Sequence, residues 1–266
     1  MQEELNVKTM AEFAAEGKEP DILYWVGCAG SYDARAQKVS RAFAKLLNKA
    51  GVSFAILGNE ESCCGDPARR AGNEFIFQML ALQNIEVLNG YNIKKIVTAC
   101  PHGYNTLKNE YPELGGNFEV IHHTQFIEQL IADGKLDVSD NKYAKSTKVT
   151  YHDSCYMGRV NGEYKAPRNI LNSAKIEITE MERSGVNGFC CGAGGAQMFK
   201  EEEKGDKRVN EERANEAIGT GAKIIAANCP FCITMLEDGL KAYEKEDEIK
   251  VMDIAEILSA DLDLGQ

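Results

Sequence analysis

Short unbroken apolar runs alternate along this chain with longer stretches in which apolar positions recur every three or four residues. The runs "DILYWV", "SFAILG", "KIVTAC", "KVTY", "AKIIAAN" and "EIKVM" read as strands. Unbroken runs of this length suit strands covered on both faces. Between them, "ARAQKVSRAFAKLLNKAG" places Val39, Ala42, Phe43, Leu46, Leu47 and Ala50 on one helical stripe, and Gly51 supplies the stop. "NEFIFQMLALQNIEVLNG" predicts an apolar helix ending at Gly90, and "TQFIEQLIADG" one with Phe126, Ile127, Leu130 and Ile131 on its face. Asp253 and Glu256 stand at capping-box spacing before Ile257 and Leu258. Strand and helix in alternation predict an α/β fold with mostly parallel sheets flanked by helices.

The pattern occurs twice. Cys28, Cys63 and Cys64 recur 127 residues later as Cys155, Cys190 and Cys191, and Cys100 recurs 129 later as Cys229. "DILYWVGC" aligns with "KVTYHDSC", "KKIVTACP" with "AKIIAANCP", and "NFEVIHHTQFIEQL" with "EIKVMDIAEILSADL". A period this long marks a duplicated domain and not a solenoid. The expected organisation is a polar N-terminal segment over 1–19, a first repeat over 20–137, a polar linker over 138–147 and a second repeat over 148–266, the two being pseudo-symmetric.

Composition narrows the function classes. The chain has 266 residues and 44% hydrophobic content, enough for real cores, and a formal charge of −11. Acidity of that size disfavours nucleic acid as a partner and argues against charge-driven docking on an anionic membrane. No run approaches the ~18–20 apolar residues of a membrane span. The acidic start "MQEELNVKTMAEF" lacks the basic and apolar regions of a signal peptide. These features predict a cytosolic location, where thiols are kept reduced.

Nine cysteines in a reducing compartment need a use other than disulfides. Cys28, Cys100, Cys155 and Cys229 fall at the C-terminal ends of predicted strands, and the CysCys pairs fall in loops after other strands. Ligands of open α/β sheets gather at that edge. Three segments of each half therefore deliver thiols to one place, and clustered thiolates select zinc, copper(I) or iron–sulfur clusters. The second set, Cys155, Cys190, Cys191, Cys229 and Cys232, has one thiol more than a structural zinc or an ordinary cubane cluster takes. Five thiols point to a larger or less regular iron–sulfur centre.

The pattern C-x34-CCG-x36-C-x2-C from Cys155 to Cys232 resembles the cysteine-rich CCG domain. That domain is found in the B subunit of heterodisulfide reductase and in iron–sulfur subunits of lactate, glycolate and glycerol-3-phosphate oxidising enzymes. The resemblance covers nearly the whole chain. It implies an iron–sulfur electron-transfer subunit of an oxidoreductase, with a noncubane [4Fe-4S] cluster held by Cys155, Cys190, Cys191, Cys229 and Cys232. It further implies electrons supplied by a ferredoxin-type iron–sulfur or flavoprotein subunit, and reduction of a small disulfide. The alternatives are an electron conduit in a hydroxy-acid dehydrogenase feeding a quinone-linked system, and a zinc-bound structural subunit without redox turnover. Having no ferredoxin motif or membrane span in its own sequence, the chain is expected to meet a membrane only peripherally, through a partner.

The first set departs from the family pattern. Cys28, Cys63, Cys64 and Cys100 match, but "CPHG" puts Gly103 where "CPFC" has Cys232. Four thiols suit an iron–sulfur cluster or zinc, with His102 a substitute ligand one residue out of register. Gly192, Gly194 and Gly195 after the second pair allow backbone to approach a cluster; "GAGG" lacks the spacing of a nucleotide loop. His152 beside the second set reads as a hydrogen-bonded strand-end histidine or as one that delivers protons or tunes a cluster, and His122–His123 as a helix entry. Arg69, Arg70 and Arg159 read as surface charge or as holders of an anion. "KEEEKGDKRVNEER" reads as a solvated loop and helix face. No single catalytic residue stands out.

Overall fold

The computed structural model describes residues 5, 7–144, 147–201 and 205–262. The chain divides into two compact units, one built on residues up to Leu136 and the other on Asp137–Asp261. In the first unit, β1 (Lys8–Thr9), β2 (Ile22–Trp25), β3 (Phe54–Ile56), β4 (Lys95–Thr98) and β5 (Glu119–His122) form a sheet in the order β1-β3-β2-β4-β5. Every pairing is parallel, with Leu23 opposite Ile96 and Trp25 opposite Thr98 at the centre. All four residues of β2 are buried, which is why its run carries no polar position.

The connecting helices are α1 (Met10–Ala15), α2 (Gly27–Tyr32), α3 (Ala34–Lys49), α4 (Asp66–Arg70), α5 (Glu74–Gly90), α6 (Pro101–Asn105) and α7 (His123–Ala132). Asp33 starts α3 by accepting from the Ala36 N–H at 2.7 Å. Its stripe Val39, Phe43, Leu46 and Leu47 is buried as the periodicity predicts, each side chain contributing about 1.5–3 kcal/mol. The apolar run ending at Gly90 forms α5 to that residue. His122 caps α7 in a capping box with Gln125, the helix entry expected of the His122–His123 pair. The N-terminal stretch does more than its polarity suggests. Lys8–Thr9 adds an edge strand to the sheet, and Thr9 and Glu12 form the capping box of α1. Residues 1–4 and 6 lie outside the described residues.

In the second unit, β6 (Val149–Tyr151), β7 (Ile224–Ala227) and β8 (Lys250–Asp253) form a parallel sheet in the order β6-β7-β8. This repeats the β2-β4-β5 order of the first unit. A single parallel bridge between Val149 and Ile178 stands on the side where β3 flanks β2. Helices α8 (Ala166–Ser173), α9 (Val209–Gly219), α10 (Pro230–Lys241) and α11 (Ile254–Ser259) complete it, and α11 starts with the Asp253–Glu256 capping box read from the sequence. Part of the stretch read as a linker is anchored to this unit. Asn141 Nδ2 donates to the Ile257 carbonyl at 2.9 Å, and the Lys142 N–H donates to Asp261 at 2.7 Å. Residues 145–146 of that stretch, and 263–266 at the end of the chain, lie outside the described residues. Among the described residues no helix is long and apolar enough to cross a membrane.

Candidate metal centres

Each sheet ends in thiols. In the second unit Cys155 follows β6, Cys190 and Cys191 sit in the long loop before α9, Cys229 follows β7 as the N-cap of α10, and Cys232 lies in the first turn of that helix. The Cys191 and Cys232 sulfurs are 3.3 Å apart. Cys190 accepts from the thiols of Cys155 and Cys191, and Cys229 bonds to Cys232. The loop can turn sharply because Gly192 takes φ 91°, a conformation open to glycine, and there its N–H donates to Cys190 Sγ at 3.3 Å. Gly195 also has a positive φ, 68°, whereas Gly194 does not. The five thiols predicted from the sequence thus converge from three segments, none of them in a disulfide. Cys155 and Cys190 are half-buried, and Cys191, Cys229 and Cys232 are buried.

The first unit repeats the arrangement with four. Cys63 accepts from Cys28 and Cys64, and Cys100 lies close enough to act electrostatically on Cys28 and Cys64. Gly65 takes φ 90° and donates to Cys63 Sγ at 3.5 Å, matching Gly192. Charge is placed alike in both. Thiol donors, Cys28 foremost, draw Cys63 down to about 3, with the Gly65 N–H helping against the opposing effect of burial. Cys190 is drawn down to about 2, first by Cys155. The partner thiols Cys28 and Cys155 are pushed up, first by their bonds to these same sulfurs and then by burial. A pocket of soft donors with one thiolate already favoured is the donor set expected of an iron–sulfur or zinc site.

The two sites differ by coordinated replacements. Where the second unit has Cys232 and His152, the first has Gly103 and Trp25. A Cβ at Gly103 would lie 3.9 Å from Trp25 Cδ1, so the indole borders the place of the absent fifth thiol. Where the second unit has Ala193 and Phe231, the first has Asp66 and His102. These two are buried and bonded, Nδ1 to Oδ2 at 2.9 Å, so His102 spends Nδ1 on a carboxylate. A carboxylate also changes place. In the first unit Glu61 accepts from the N–H groups of Val26 and Gly27 at 3.0 and 2.5 Å, and burial pushes it up to about 7 against those bonds. In the second unit Glu61 is replaced by Gly188 and Val26 by Asp153. Asp153 accepts from Gly185 N–H at 2.7 Å and from both Nη atoms of Arg168. A Cβ at Gly188 would meet the Gly185 carbonyl at 3.0 Å and Asp153 Cβ at 3.2 Å, so a side chain there would crowd the acidic position of the second unit.

His152 and Arg213 are fully buried beside the second set. Arg213 Nε donates to His152 Nδ1 at 3.0 Å, and its Nη1 donates to Glu216 and to the Arg183 carbonyl. Burial first, then the Arg213 cation, pushes His152 down to about 3, so the ring is neutral. A ring nitrogen of His152 and the Cys191 and Cys232 sulfurs lie within 4.8 Å of one another. The reading of "KEEEKGDKRVNEER" as a solvated face fails at Arg213, which is 0% exposed; residues 202–204 of that run lie outside the described residues. The signal was present. Asn210, Ala214 and Ala217 form the buried stripe of α9, and Arg213 falls on it. Arg69 and Arg70 are committed to carboxylates, Arg69 to Glu74, Glu110 and Glu113, and Arg70 to Asp66 and Glu110. Arg159 is exposed and donates to the Gly188 carbonyl at 2.8 Å.

Known proteins share this architecture. The CCG cysteine-rich domain matches residues 22–108 and again 149–237. The chain is 49% identical over 263 residues to an EtfAB:quinone oxidoreductase of Syntrophomonas wolfei, covering 96% of this chain and 36% of that protein. It is 48% identical over 266 residues to the probable iron-sulfur-binding oxidoreductase FadF of Bacillus subtilis, covering 98% and 37%. It is 36% identical over 254 residues to the D subunit of the dihydromethanophenazine:CoB–CoM heterodisulfide reductase from Methanosarcina barkeri, covering 92% and 60%. The chain therefore spans little more than a third of the first two relatives. A crystal structure of a hypothetical protein from Helicobacter pylori has a similar fold, with a TM-score of 0.58 at 8% identity over 94% of this chain and 50% of that one.

Proposed function

This chain belongs to the CCG cysteine-rich domain family, and on that premise we propose that it is an iron–sulfur electron-transfer component of an oxidoreductase. The observation that carries the proposal is the convergence of five reduced thiols on the strand ends of the second unit. Cys155, Cys190, Cys191, Cys229 and Cys232 would hold a [4Fe-4S] cluster of noncubane type, whose chemistry is one-electron transfer at a potential set by its surroundings. Cys28, Cys63, Cys64 and Cys100 would hold the first centre, an iron–sulfur cluster or zinc. The half-buried thiols give each centre an edge toward solvent, while the remaining sulfurs are shielded.

The name of one relative, the EtfAB:quinone oxidoreductase, favours a quinone-linked route. In that reading the chain takes electrons from a flavoprotein or ferredoxin-type partner and passes them toward quinone reduction. Phe75, Met79 and Leu82 leave an apolar stripe on α5, 76%, 56% and 51% exposed, which suits a partner subunit. The second reading is reduction of a small disulfide, after the heterodisulfide reductase relative. A cavity of about 590 Å³ lined by Gly192, Met198, Arg208, Asn210 and Met235 lies beside the turn that follows the CysCys pair and is large enough for a small molecule, although none of the five thiols lines it. Against it stands Gly103, which leaves the first set one thiol short of the second and weakens any route that needs two like centres.

The test is anaerobic purification with iron, sulfide and zinc analysis and electron paramagnetic resonance. The expected protein is brown and contains acid-labile sulfide. Cys232→Ser should abolish the spectrum of the second centre and leave that of the first. Zinc without sulfide in both units would reject the redox reading in favour of a structural role.

A further inference from the structure

We infer that His152 is a hydrogen-bond donor to sulfur at the second centre, locked into that role by Arg213, and is not a ligand of the metal. The inference deepens the iron–sulfur reading of that centre and rests on it. A ring nitrogen of His152 and the Cys191 and Cys232 sulfurs lie within 4.8 Å of one another, close enough to share one metal ion, so ligation is the obvious alternative. The hydrogen bonds decide between them. A histidine that ligates metal through one nitrogen gives the N–H of the other to an acceptor, such as a carboxylate or carbonyl. The group facing Nδ1 here is the Arg213 guanidinium, which has donors and no acceptor. Nδ1 must therefore supply the lone pair, and in a neutral ring the proton sits on Nε2.

Nε2 is buried and has no hydrogen-bond partner among the described residues. A buried N–H left unmatched is costly, and the groups the structure places beside the ring that could accept from it are the Cys191 and Cys232 sulfurs. Five thiols already fill the ligand set, so a sixth ligand is not needed, whereas a donor is the missing element. The dyad is particular to the second unit. The first unit has Trp25 and Asn84 at the corresponding positions, and Asn84 is spent on the Ser62 N–H, the Cys63 carbonyl and the Tyr111 hydroxyl. Added electrons make cluster sulfur a stronger acceptor. An N–H aimed at it therefore favours the reduced state and raises the potential.

The test is a redox titration of the full chain, followed by electron paramagnetic resonance, in the wild type, His152→Phe and His152→Gln. His152→Phe should lower the midpoint potential of the second centre with iron and sulfide content retained. His152→Gln, which keeps an N–H near the Nε2 position, should restore most of the shift; a ring that merely fills space would be replaced better by Phe. Hyperfine spectra of wild-type protein labelled with ¹⁵N-histidine should show only the weak coupling of a hydrogen-bonded nitrogen. A strong coupling of a directly bound nitrogen, lost in His152→Gln, would overturn the inference even if the Phe variant fails to fold. An unshifted potential in an intact Phe variant would overturn it alone. A wild type free of sulfide would overturn the iron–sulfur reading, and this inference with it.

Discussion

A Cβ placed on Gly103 meets only ordinary contacts, at 3.7 Å from Thr98 Oγ1 and 3.9 Å from Cys100 Cβ and Trp25 Cδ1. Gly103→Cys should therefore fold, with stability changed by no more than about 1 kcal/mol, since removing a helix-interior glycine offsets mild crowding. Trp25 still borders the new thiol, so the double variant Trp25→His, Gly103→Cys should come closer to the ligand environment of the second unit. The expected outcome is a changed spectrum for the first centre in the single variant and a larger change in the double, read by electron paramagnetic resonance. Residue-level chemistry of this kind was only partly legible in the sequence. The thiols could be read because nothing else explains nine cysteines at a duplicated spacing. Arg213 was missed because its burial depends on Glu216, His152 and the Arg183 carbonyl, acceptors supplied by three different segments. The Asp66–His102 pair was missed for the same reason: Asp66 looks like an ordinary loop residue, and His102 like a substitute ligand, until α4 and α6 bring them to 2.9 Å.

Among the elements, the two CysCysGly turns are each fixed by a glycine at positive φ. Gly65 has φ 90°, and a Cβ there would also come within 2.8 Å of Phe77 Cδ2 on α5. Gly65→Ala should cost about 2 kcal/mol or more, combining the left-handed penalty of ~1–2 kcal/mol with displacement of a fully buried ring. Gly192→Ala has φ 91° and a looser neighbour, Val209 Cβ at 3.2 Å, and should cost less. Urea denaturation of the two variants under reducing conditions checks the order. Strands and helices such as α3 and α7 were readable in advance because periodicity and burial agree there. The edge strand Lys8–Thr9 was not, since a strand of two residues carries no period and is formed by its pairing with β3.

For the whole molecule, each proposed centre ties together loops that are distant in sequence, from Cys28 to Cys100 and from Cys155 to Cys232. Such a tie stabilises the folded chain as a cross-link does, by ~3 kcal/mol or more for loops of this length. Stripping the metal with a chelator under anaerobic, reducing conditions should lower the melting temperature by several degrees. Cys232→Ser should reproduce part of that loss without chelator. An unchanged melting curve after complete iron removal would show that the strand ends hold their shape without a centre.

The duplication also has a meaning in time. The ligands of the first centre are complete once Cys100 has been made, while every ligand of the second, beginning with Cys155, is still to come. In an N- to C-terminal synthesis the four thiols of the first set thus leave the ribosome before any of the five thiols of the second. The five-thiol site becomes available only after Cys232 and the turn of α10 that carries it have emerged. The order of the two sets along the chain follows from the repeat itself, with the four-thiol copy preceding the five-thiol one.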